Sequence, residues 1–207
     1  MIPKIIYTAH LSAGEHPEHL VAVETAWKQL HPDWQHVRFT LDDRPVVLNA
    51  FEWDGTFDLP EPAGAASRLN ILRYEVLARF GGVFIEPRIF PLRPIDELLD
   101  NVSGFCTSDG GYGKPHQLAC SILGAERNHP AMWHALRDLP RSVYTYRGVW
   151  DQTGPGLLSR VIDEHGHFRH WVVFHWALFN LSRDEAERSE AAFAYVEEPS
   201  ESEMATS

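Results

Sequence analysis

The sequence predicts one α/β domain in which helices flank a mainly parallel central sheet. Strand-like segments alternate with helical segments along the 207 residues, and that alternation is typical of parallel sheets. Segment 2–8 is rich in β-formers without alternating polarity, as in a strand that is buried on both faces. No internal repeat is evident, so we predict one domain over residues 1–196. The acidic end, 197–207, offers little apolar surface to bury and is predicted to be a disordered tail.

Spacing and boundary residues predict the individual elements. Apolar residues three or four apart predict a first helix, which Pro17 opens and Pro32 ends. A second helix over about 64–80 stops at Gly81-Gly82, because glycine adopts the left-handed conformation that ends many helices. Asn128 is predicted to cap a later helix. The other predicted elements are strands at 37–41, 83–85, 103–107, 117–123 and 171–176, and helices near 46–51, at 95–99, after 153 and over 183–192.

The composition argues against several kinds of function. The formal charge is −11, and binding to a nucleic-acid backbone depends on Lys and Arg neutralising phosphates, so we expect no such partner. No apolar run reaches the roughly 20 residues that span a bilayer. The N-terminus lacks the pattern of a secretory signal, so we expect a cytoplasmic protein. Cys106 and Cys120 form no metal or disulfide pattern, and we expect both to be reduced on buried strands.

Segment 65–99 places polar side chains where an α/β protein binds its ligands. It reads as a helix, a Gly-Gly stop and a short strand, followed by Glu86 and Arg88. Ligands of open α/β sheets bind at the carboxyl ends of strands, which is where this pattern places both side chains. Asn70 and Arg73 are one turn apart on the preceding helix, so they project to the same side. We therefore predict that these four side chains converge on one cleft.

This segment resembles the DXD-motif glycosyltransferases, the family of initiator mannosyltransferases, capsular polysaccharide transferases and glucosylating bacterial toxins. The family pattern is a helix reading S-D-x-x-R-Y, then G-G-x-Y-x-D-x-D, then P-L-R-P. The matching residues are Arg73-Tyr74, Gly81-Gly82, Phe84 and Pro91-Leu92-Arg93-Pro94, and, outside the segment, Ile2–Ile6, Gly124-Ala125, His129-Pro130 and Thr153-Gly154-Pro155. The resemblance covers roughly residues 1–165.

The resemblance implies a GT-A-like, Rossmann-like fold and a glycosyltransferase activity. The reaction is transfer of a hexose from a nucleoside-diphosphate sugar to a hydroxyl acceptor such as a glycan, with retention of the anomeric configuration. Catalytic roles fall on Glu86 and Arg88. Substrate-binding roles fall on Tyr7, Asn70, Arg73, Arg93, Thr153 and Gly154. Tyr7 is expected to stack on the base, and the helix that Thr153 and Gly154 open is expected to offer free N–H groups to a phosphate.

The acidic positions depart from the family pattern. Asn70 replaces the aspartate of the helix, and Glu86 and Arg88 replace the two aspartates of D-x-D. Cys120 replaces an asparagine of the middle strand, and the late histidine segment has no counterpart near Tyr195. These departures leave one carboxylate where the family has three.

The departures put the family's Mn²⁺ or Mg²⁺ in doubt, and no metal ligand is predicted. Arg88 has no lone pair to offer a cation and would repel one. Guanidinium groups bind phosphate oxygens directly, so Arg88 with Arg73 or Arg93 can replace the metal in neutralising the leaving diphosphate. The sequence therefore predicts transfer that does not depend on a metal.

Two other functions stay open. The first is a catalytically inactive relic that binds a sugar nucleotide or a glycan. The second is a zinc protein, although the available histidines match no known ligand spacing; they are His165, His167, His170 and His175. Asp109, before Gly110-Gly111, is either an acceptor-side base or a turn residue, and the turn is the preferred interpretation.

Overall fold

Helices and strands alternate along the chain, as the sequence predicts. A computed structural model describes residues 1–12, 18–41, 43, 47–109, 117–166 and 171–197. The strands are β1 Ile5–His10, β2 Gln35–Thr40, β3 Gly82–Ile85, β4 Ile89–Pro91, β5 Gly104–Ser108, β6 Leu118–Ala125, β7 Trp171–Phe174, β8 Leu181–Ser182 and β9 Ala194–Val196. The helices are α1 Glu18–Leu30, α2 Ala50–Gly55, α3 Ala63–Phe80, α4 Pro130–Thr145, α5 Val149–Gln152, α6 Pro155–His165 and α7 Arg183–Glu187. Pro17 and 198–207 lie outside the described residues, so the predicted tail stays a prediction.

The central sheet is mainly parallel, with one antiparallel strand inside it. Its six strands run in the order β2-β1-β3-β6-β5-β7. β1 pairs parallel with β2 and β3, and β5 pairs parallel with β7. β6 runs antiparallel to both β3 and β5, so the carboxyl ends of the other five strands share one edge. From the order of the segments we expected 2–7, 83–86 and 103–107 to be neighbouring strands. The first two are neighbours, but 83–86 and 103–107 are not, because β6 turns back from β5 and lies between them.

The sheet is covered on both faces. Successive residues of β1 point to opposite sides: Ile6 packs with Trp27 of α1, and Tyr7 packs with Leu77 of α3. α3 is the central helix, and its middle is buried from Asn70 to Ala78 between the sheet and α4. A second sheet, with the order β4-β9-β8, packs beside α1 and was not predicted.

Gly81 ends α3, and His129 caps the start of α4. Gly81 ends α3 as predicted, with φ 68° and its N–H on Leu77 O at 3.0 Å. A Cβ at Gly81 would lie 2.5 Å from the backbone N of Arg127, so glycine is also required by packing. The predicted cap of α4 was wrong: His129 is the N-cap, and its Nδ1 accepts from Ala131 N at 3.2 Å. Asn128 instead takes φ 63°, one residue earlier.

Two further element predictions need adjustment. The helix predicted near 46–51 begins later, as α2. The helix predicted over 183–192 begins with a capping box formed by Ser182 and Glu185, and it ends at Glu187. Cys106 and Cys120 are both free and buried on β5 and β6, as expected.

The free energy of unfolding is expected to fall as the pH rises, because of the buried carboxyl group of Glu75. Glu75 is 2% exposed, and burial raises the pKa of its carboxyl group. The hydrogen bond from Leu48 N and the charge of Arg79 act to lower that pKa but do not outweigh burial. The folded chain therefore keeps this proton at pH values where the unfolded chain has lost it, so the unfolding free energy falls as pH rises above the ordinary pKa of Glu. Glu75→Gln removes the titrating group and should therefore flatten that slope. Thermal melts between about pH 4 and pH 8 check it; parallel slopes in both proteins would contradict it.

Candidate functional site

Chain geometry brings the N-terminal half of α3 to the carboxyl end of β3. The tight turn at Gly81 makes helix and strand antiparallel, so α3 begins at the edge where β3 ends. Glu86 is the first residue after β3, with its backbone N held by Ser121 O at 2.8 Å. Asn70 and Arg73, one turn apart, then face Glu86 as their helical spacing predicts.

Four side chains form a continuous hydrogen-bonded chain, which we call the polar network. Arg73 Nη2 donates to Glu86 Oε1 at 2.9 Å, and Arg73 Nη1 donates to Asn70 Oδ1 at 3.2 Å. Asn70 Nδ2 donates to Thr153 Oγ1 at 3.3 Å, which links α3 to the turn before α6. Glu86 is the accessible end of the network: its side chain is 39% exposed, whereas that of Arg73 is fully buried.

The network holds a permanent positive charge inside the protein. Burial acts to lower the pKa of Arg73, but attraction to Glu86 and the hydrogen bond with it oppose this effect, and the pKa is raised. Arg73 Nε has no hydrogen-bond partner among the described residues. Glu86 is therefore the single carboxylate paired with this buried cation in the described part of the chain.

Uncharged groups lie beneath Arg73. Tyr74 Oη donates to Gly154 O at 3.2 Å, and burial raises the pKa of Tyr74 well above its ordinary value. Cys120, in contact with Arg73 and Tyr74, has a pKa that burial raises. Both groups therefore stay protonated at neutral pH and add no negative charge to the site.

A second row of polar side chains lies next to Glu86 and was missed from the sequence. Ser121 Oγ donates to Asn180 Oδ1 at 2.8 Å, and Asn180 Nδ2 donates to Thr107 Oγ1 at 3.3 Å. His175 and Trp176 follow β7 directly, and Trp176 N donates to Ser108 Oγ, at the end of β5. The rule that selects Glu86, a polar residue just after a parallel strand, selects His175 as well, whereas the resemblance led us to expect a late histidine near Tyr195.

Tyr7 does not occupy the predicted place beside a base. Its ring is 3% exposed and packs against Phe39 and Phe84, with centroid distances of 6.2 and 6.4 Å. Burial also raises the pKa of its hydroxyl to about 12. The reason is the strand geometry: Tyr7 points to the α3 face of the sheet and is part of the core.

The two other predicted arginines behave differently. Arg88 is exposed two residues after Glu86, and its side chain pairs with none of the described residues. Arg93 is turned away from the network: its Nη2 donates to Ala191 O at 2.8 Å, and its guanidinium lies 3.8 Å from the Phe193 ring centroid. Arg93 therefore ties the chain to the segment just before β9, which corrects its predicted role in the site.

The two residues before α6 offer no free N–H group of their own. Thr153 N and Gly154 N both donate to Val149 O, at 3.1 and 2.9 Å, so neither is free for a phosphate. Gly154 is small for a packing reason, since a Cβ there would lie 3.2 Å from Asn70 Nδ2. Thr153 does reach the site, through its hydroxyl group.

Thr153→Val is expected to destabilise the protein by about 1–2 kcal/mol, because the Asn70 amide loses its buried acceptor. Thr153→Ser keeps the hydroxyl and is the matched control. Urea unfolding of the three proteins measures the difference. Equal stability of the valine and serine variants would show that the hydrogen bond contributes nothing.

The zinc interpretation gains little support. His167 and His170 lie outside the described residues. Asp138, Glu164 and His165 bring possible ligand atoms within 4.8 Å of one another. Arg137 Nη2, however, lies 3.0 Å from His165 Nε2, which places a cation where a metal would bind.

Asp109 donates its N–H to Gln117 O at 2.9 Å, and its neighbours Gly110-Gly111 are not described.

No helix in the described ranges combines the length and apolar character needed to cross a bilayer.

No family model matches the chain. Inositol phosphoceramide mannosyltransferase 3 of Schizosaccharomyces pombe is 27% identical over 163 residues, covering 76% of this chain and 44% of that protein. Mannosyl phosphorylinositol ceramide synthase SUR1 of Saccharomyces cerevisiae is 25% identical over 181 residues, covering 82% of this chain and 44% of that protein. The chain thus spans less than half the length of the curated relatives that it matches.

Solved glycosyltransferases share the fold. PaToxG glycosyltransferase matches with a TM-score of 0.63 at 11% identity, over 79% of this chain and 70% of that one. A glycosyltransferase involved in glycosylation of the major capsid of PBCV-1 matches with a TM-score of 0.57 at 10% identity, over 97% of both chains. The UDP-bound glycosyltransferase domain of the YGT toxin matches with a TM-score of 0.58 at 8% identity, over 93% of this chain and 83% of that one. The predicted resemblance is confirmed: the chain has the GT-A fold of glycosyltransferases and is similar in sequence to fungal mannosyltransferases.

Proposed function

We propose that this chain transfers a hexose from a nucleoside-diphosphate sugar to a hydroxyl acceptor. The observation that carries the proposal is the polar network, in which the buried Arg73 meets Glu86 at the carboxyl end of β3. That edge is where open α/β sheets bind nucleotides. The relatives' names include mannose, so a mannose donor is the first to test. Their acceptors are ceramide lipids by name, which makes a lipid-linked hydroxyl a candidate beside a glycan.

The diphosphate is neutralised by guanidinium groups in this proposal. Negative charge grows on the diphosphate as the bond to the sugar breaks, and a nearby fixed cation stabilises that charge without rearrangement. Arg88 is exposed and free of described partners, so it is available to bind phosphate oxygens. Arg73 contributes its positive potential from inside the protein, and Asn70 and Thr153 keep its guanidinium in place.

The residues present do not fit the divalent cation expected for the family. Mn²⁺ and Mg²⁺ require several hard oxygen ligands. Among the described residues, the network supplies one carboxylate, Glu86, and its Oε1 already accepts from Arg73. Arg88 stands where the family has the second carboxylate. We therefore propose transfer without a bound metal, with Glu86 beside the sugar and Arg88 at the diphosphate.

A relic that binds sugar nucleotides without turnover is the second candidate. The observation that favours it is the pairing of Glu86 with Arg73, which occupies Oε1 of the one carboxylate in the network. The two candidates differ in turnover alone, since both bind the donor.

Incubation with a panel of nucleoside-diphosphate sugars, mannose donors included, tests the proposal. We expect release of free nucleoside diphosphate from one donor in the presence of EDTA, faster when a hydroxyl acceptor is added. Arg73→Met is the control, because it removes the buried charge. Donor binding without any nucleotide release would support the relic instead. Absence of binding by the whole panel would overturn both.

A further inference from the structure

Arg88 projects from a tight turn whose backbone is held at several points. The turn runs from Glu86 to Ile89, and Ile89 N donates to Glu86 O at 3.1 Å. Pro87 takes the second position, where its ring sets φ near the value that such turns require. Glu86 N donates to Ser121 O at 2.8 Å, which fixes the start of the turn to β6. The exposed side chain of Arg88 therefore begins from an ordered backbone.

The indole of Trp27 holds the last residue of this turn, from the face of the sheet opposite to α3. Its Nε1 donates to Ile89 O at 2.8 Å, and both residues are buried, with Trp27 0% and Ile89 1% exposed. A buried carbonyl group that loses its donor is left without a partner, which is unfavourable. The hydrogen bond from Trp27 therefore favours one position of Ile89, and with it one position of the neighbouring Arg88.

The indole ring of Trp27 is itself held in place. The ring of His31 stacks on it with a centroid distance of 5.1 Å, and His31 Nδ1 lies 3.1 Å from Trp27 O. His31 Nε2 accepts from Ile95 N at 3.0 Å, so this histidine joins the end of α1 to the segment that follows β4. Trp27 is therefore part of the packed core and defines where the turn lies.

We propose that Trp27 is a positioning residue for Arg88. This inference rests on the proposed function, in which Arg88 binds the phosphate oxygens of the donor. Hydrogen bonds from a guanidinium group to phosphate depend on direction as well as distance, so a displaced turn weakens them. Arg73 of α3 binds Glu86 at the start of the turn. Trp27 of α1 binds Ile89 at its end, so the turn is held from both faces of the sheet.

Trp27→Phe tests the proposal, because it keeps an aromatic ring but removes the indole N–H. Trp34→Phe is the matched control: Trp34 is also buried, but its Nε1 donates to Asp96 Oδ1 at 3.2 Å and not to the turn. UDP, GDP and inorganic pyrophosphate are titrated with EDTA into the wild type and both variants, each shown to be folded by circular dichroism. We expect Trp27→Phe to weaken probe binding about three- to tenfold and Trp34→Phe to leave it unchanged.

Dependence on Arg88 separates positioning from a general loss of stability. Trp27→Phe should cause no further weakening in an Arg88→Ala background, because the side chain that it positions is gone. Hydrogen exchange gives a measurement without ligand. The amide of Ile89, which donates within the turn, should exchange faster in Trp27→Phe than in Trp34→Phe.

The outcomes separate this inference from the proposed function. Equal weakening by Trp27→Phe with and without Arg88, or equal weakening by Trp34→Phe, would overturn the positioning role. Unchanged probe affinity, or unchanged exchange of the Ile89 amide, in Trp27→Phe would overturn it as well. Probe binding that depends on both residues, without nucleotide release from any sugar donor, would count against transfer alone. A wild type that binds none of the three probes would overturn this inference, whereas the donor panel decides transfer.

Discussion

Glu86→Ala is expected to destabilise the protein by about 3 kcal/mol. The variant leaves the buried Arg73 without its carboxylate, and removing one partner of a buried ion pair typically costs about 3–5 kcal/mol. The lower end applies, because Glu86 is 39% exposed and water solvates part of the pair. Asn70 Oδ1 remains as an acceptor but carries no charge. Urea unfolding at neutral pH measures the loss.

Two further variants show whether charge is the cause. Glu86→Gln keeps an acceptor for Arg73 Nη2 and should lose less stability than alanine. Arg73→Met combined with Glu86→Leu removes both charges and should recover part of the loss, since apolar replacements of buried pairs are often neutral or stabilising. A Glu86→Ala protein within about 0.5 kcal/mol of wild type would show that the pair behaves as a surface ion pair.

Arg88→Ala is expected to weaken sugar-nucleotide binding about 10- to 100-fold without changing stability. A hydrogen bond to a charged group contributes about 1.5–3 kcal/mol, and Arg88 is the exposed cation at the carboxyl edge nearest Glu86 in sequence. Its side chain pairs with no described residue, so the described part of the fold loses no interaction. Calorimetric titration of the best donor into both proteins, with EDTA and with Mn²⁺, measures the effect. Wild-type binding should survive EDTA.

Arg127→Ala is the matched control. Arg127 is also exposed, but it follows β6 at the opposite edge of the sheet, beside Gly81. Its replacement should leave donor binding unchanged. Strict dependence of wild-type binding on Mn²⁺ would contradict the replacement of metal by arginine. It would also mean that Glu86 recruits further ligands.

Local sequence signals predicted the centre of the fold well. α3, its glycine stop and β3 follow from helical spacing, the left-handed φ of Gly81 and a short apolar run. The position of β6 between β3 and β5 was not predictable in this way, because nothing in an apolar strand specifies its neighbours. The second sheet was missed since its strands have two or three residues, too few for a pattern.

The site was predictable where two local rules met. Helical spacing and the strand end together place Asn70, Arg73 and Glu86 in contact, although their roles stay predictions. Tyr7 shows the limit, since the sequence of a strand buried on both faces does not reveal which face each residue takes. Asn180 shows another, because it approaches Ser121 through tertiary packing and has no local signal.

The labelling rates of the two buried thiols measure local opening of the central sheet. Cys106 is 0% and Cys120 2% exposed, and burial raises the pKa of each, so a thiol reagent reacts only when the central strands open. The labelling rate of Cys120 therefore measures opening beside Arg73, whereas that of Cys106 measures opening two strands away from β3. A donor that binds at the polar network should slow labelling, and this slowing detects occupancy even in a protein that turns nothing over.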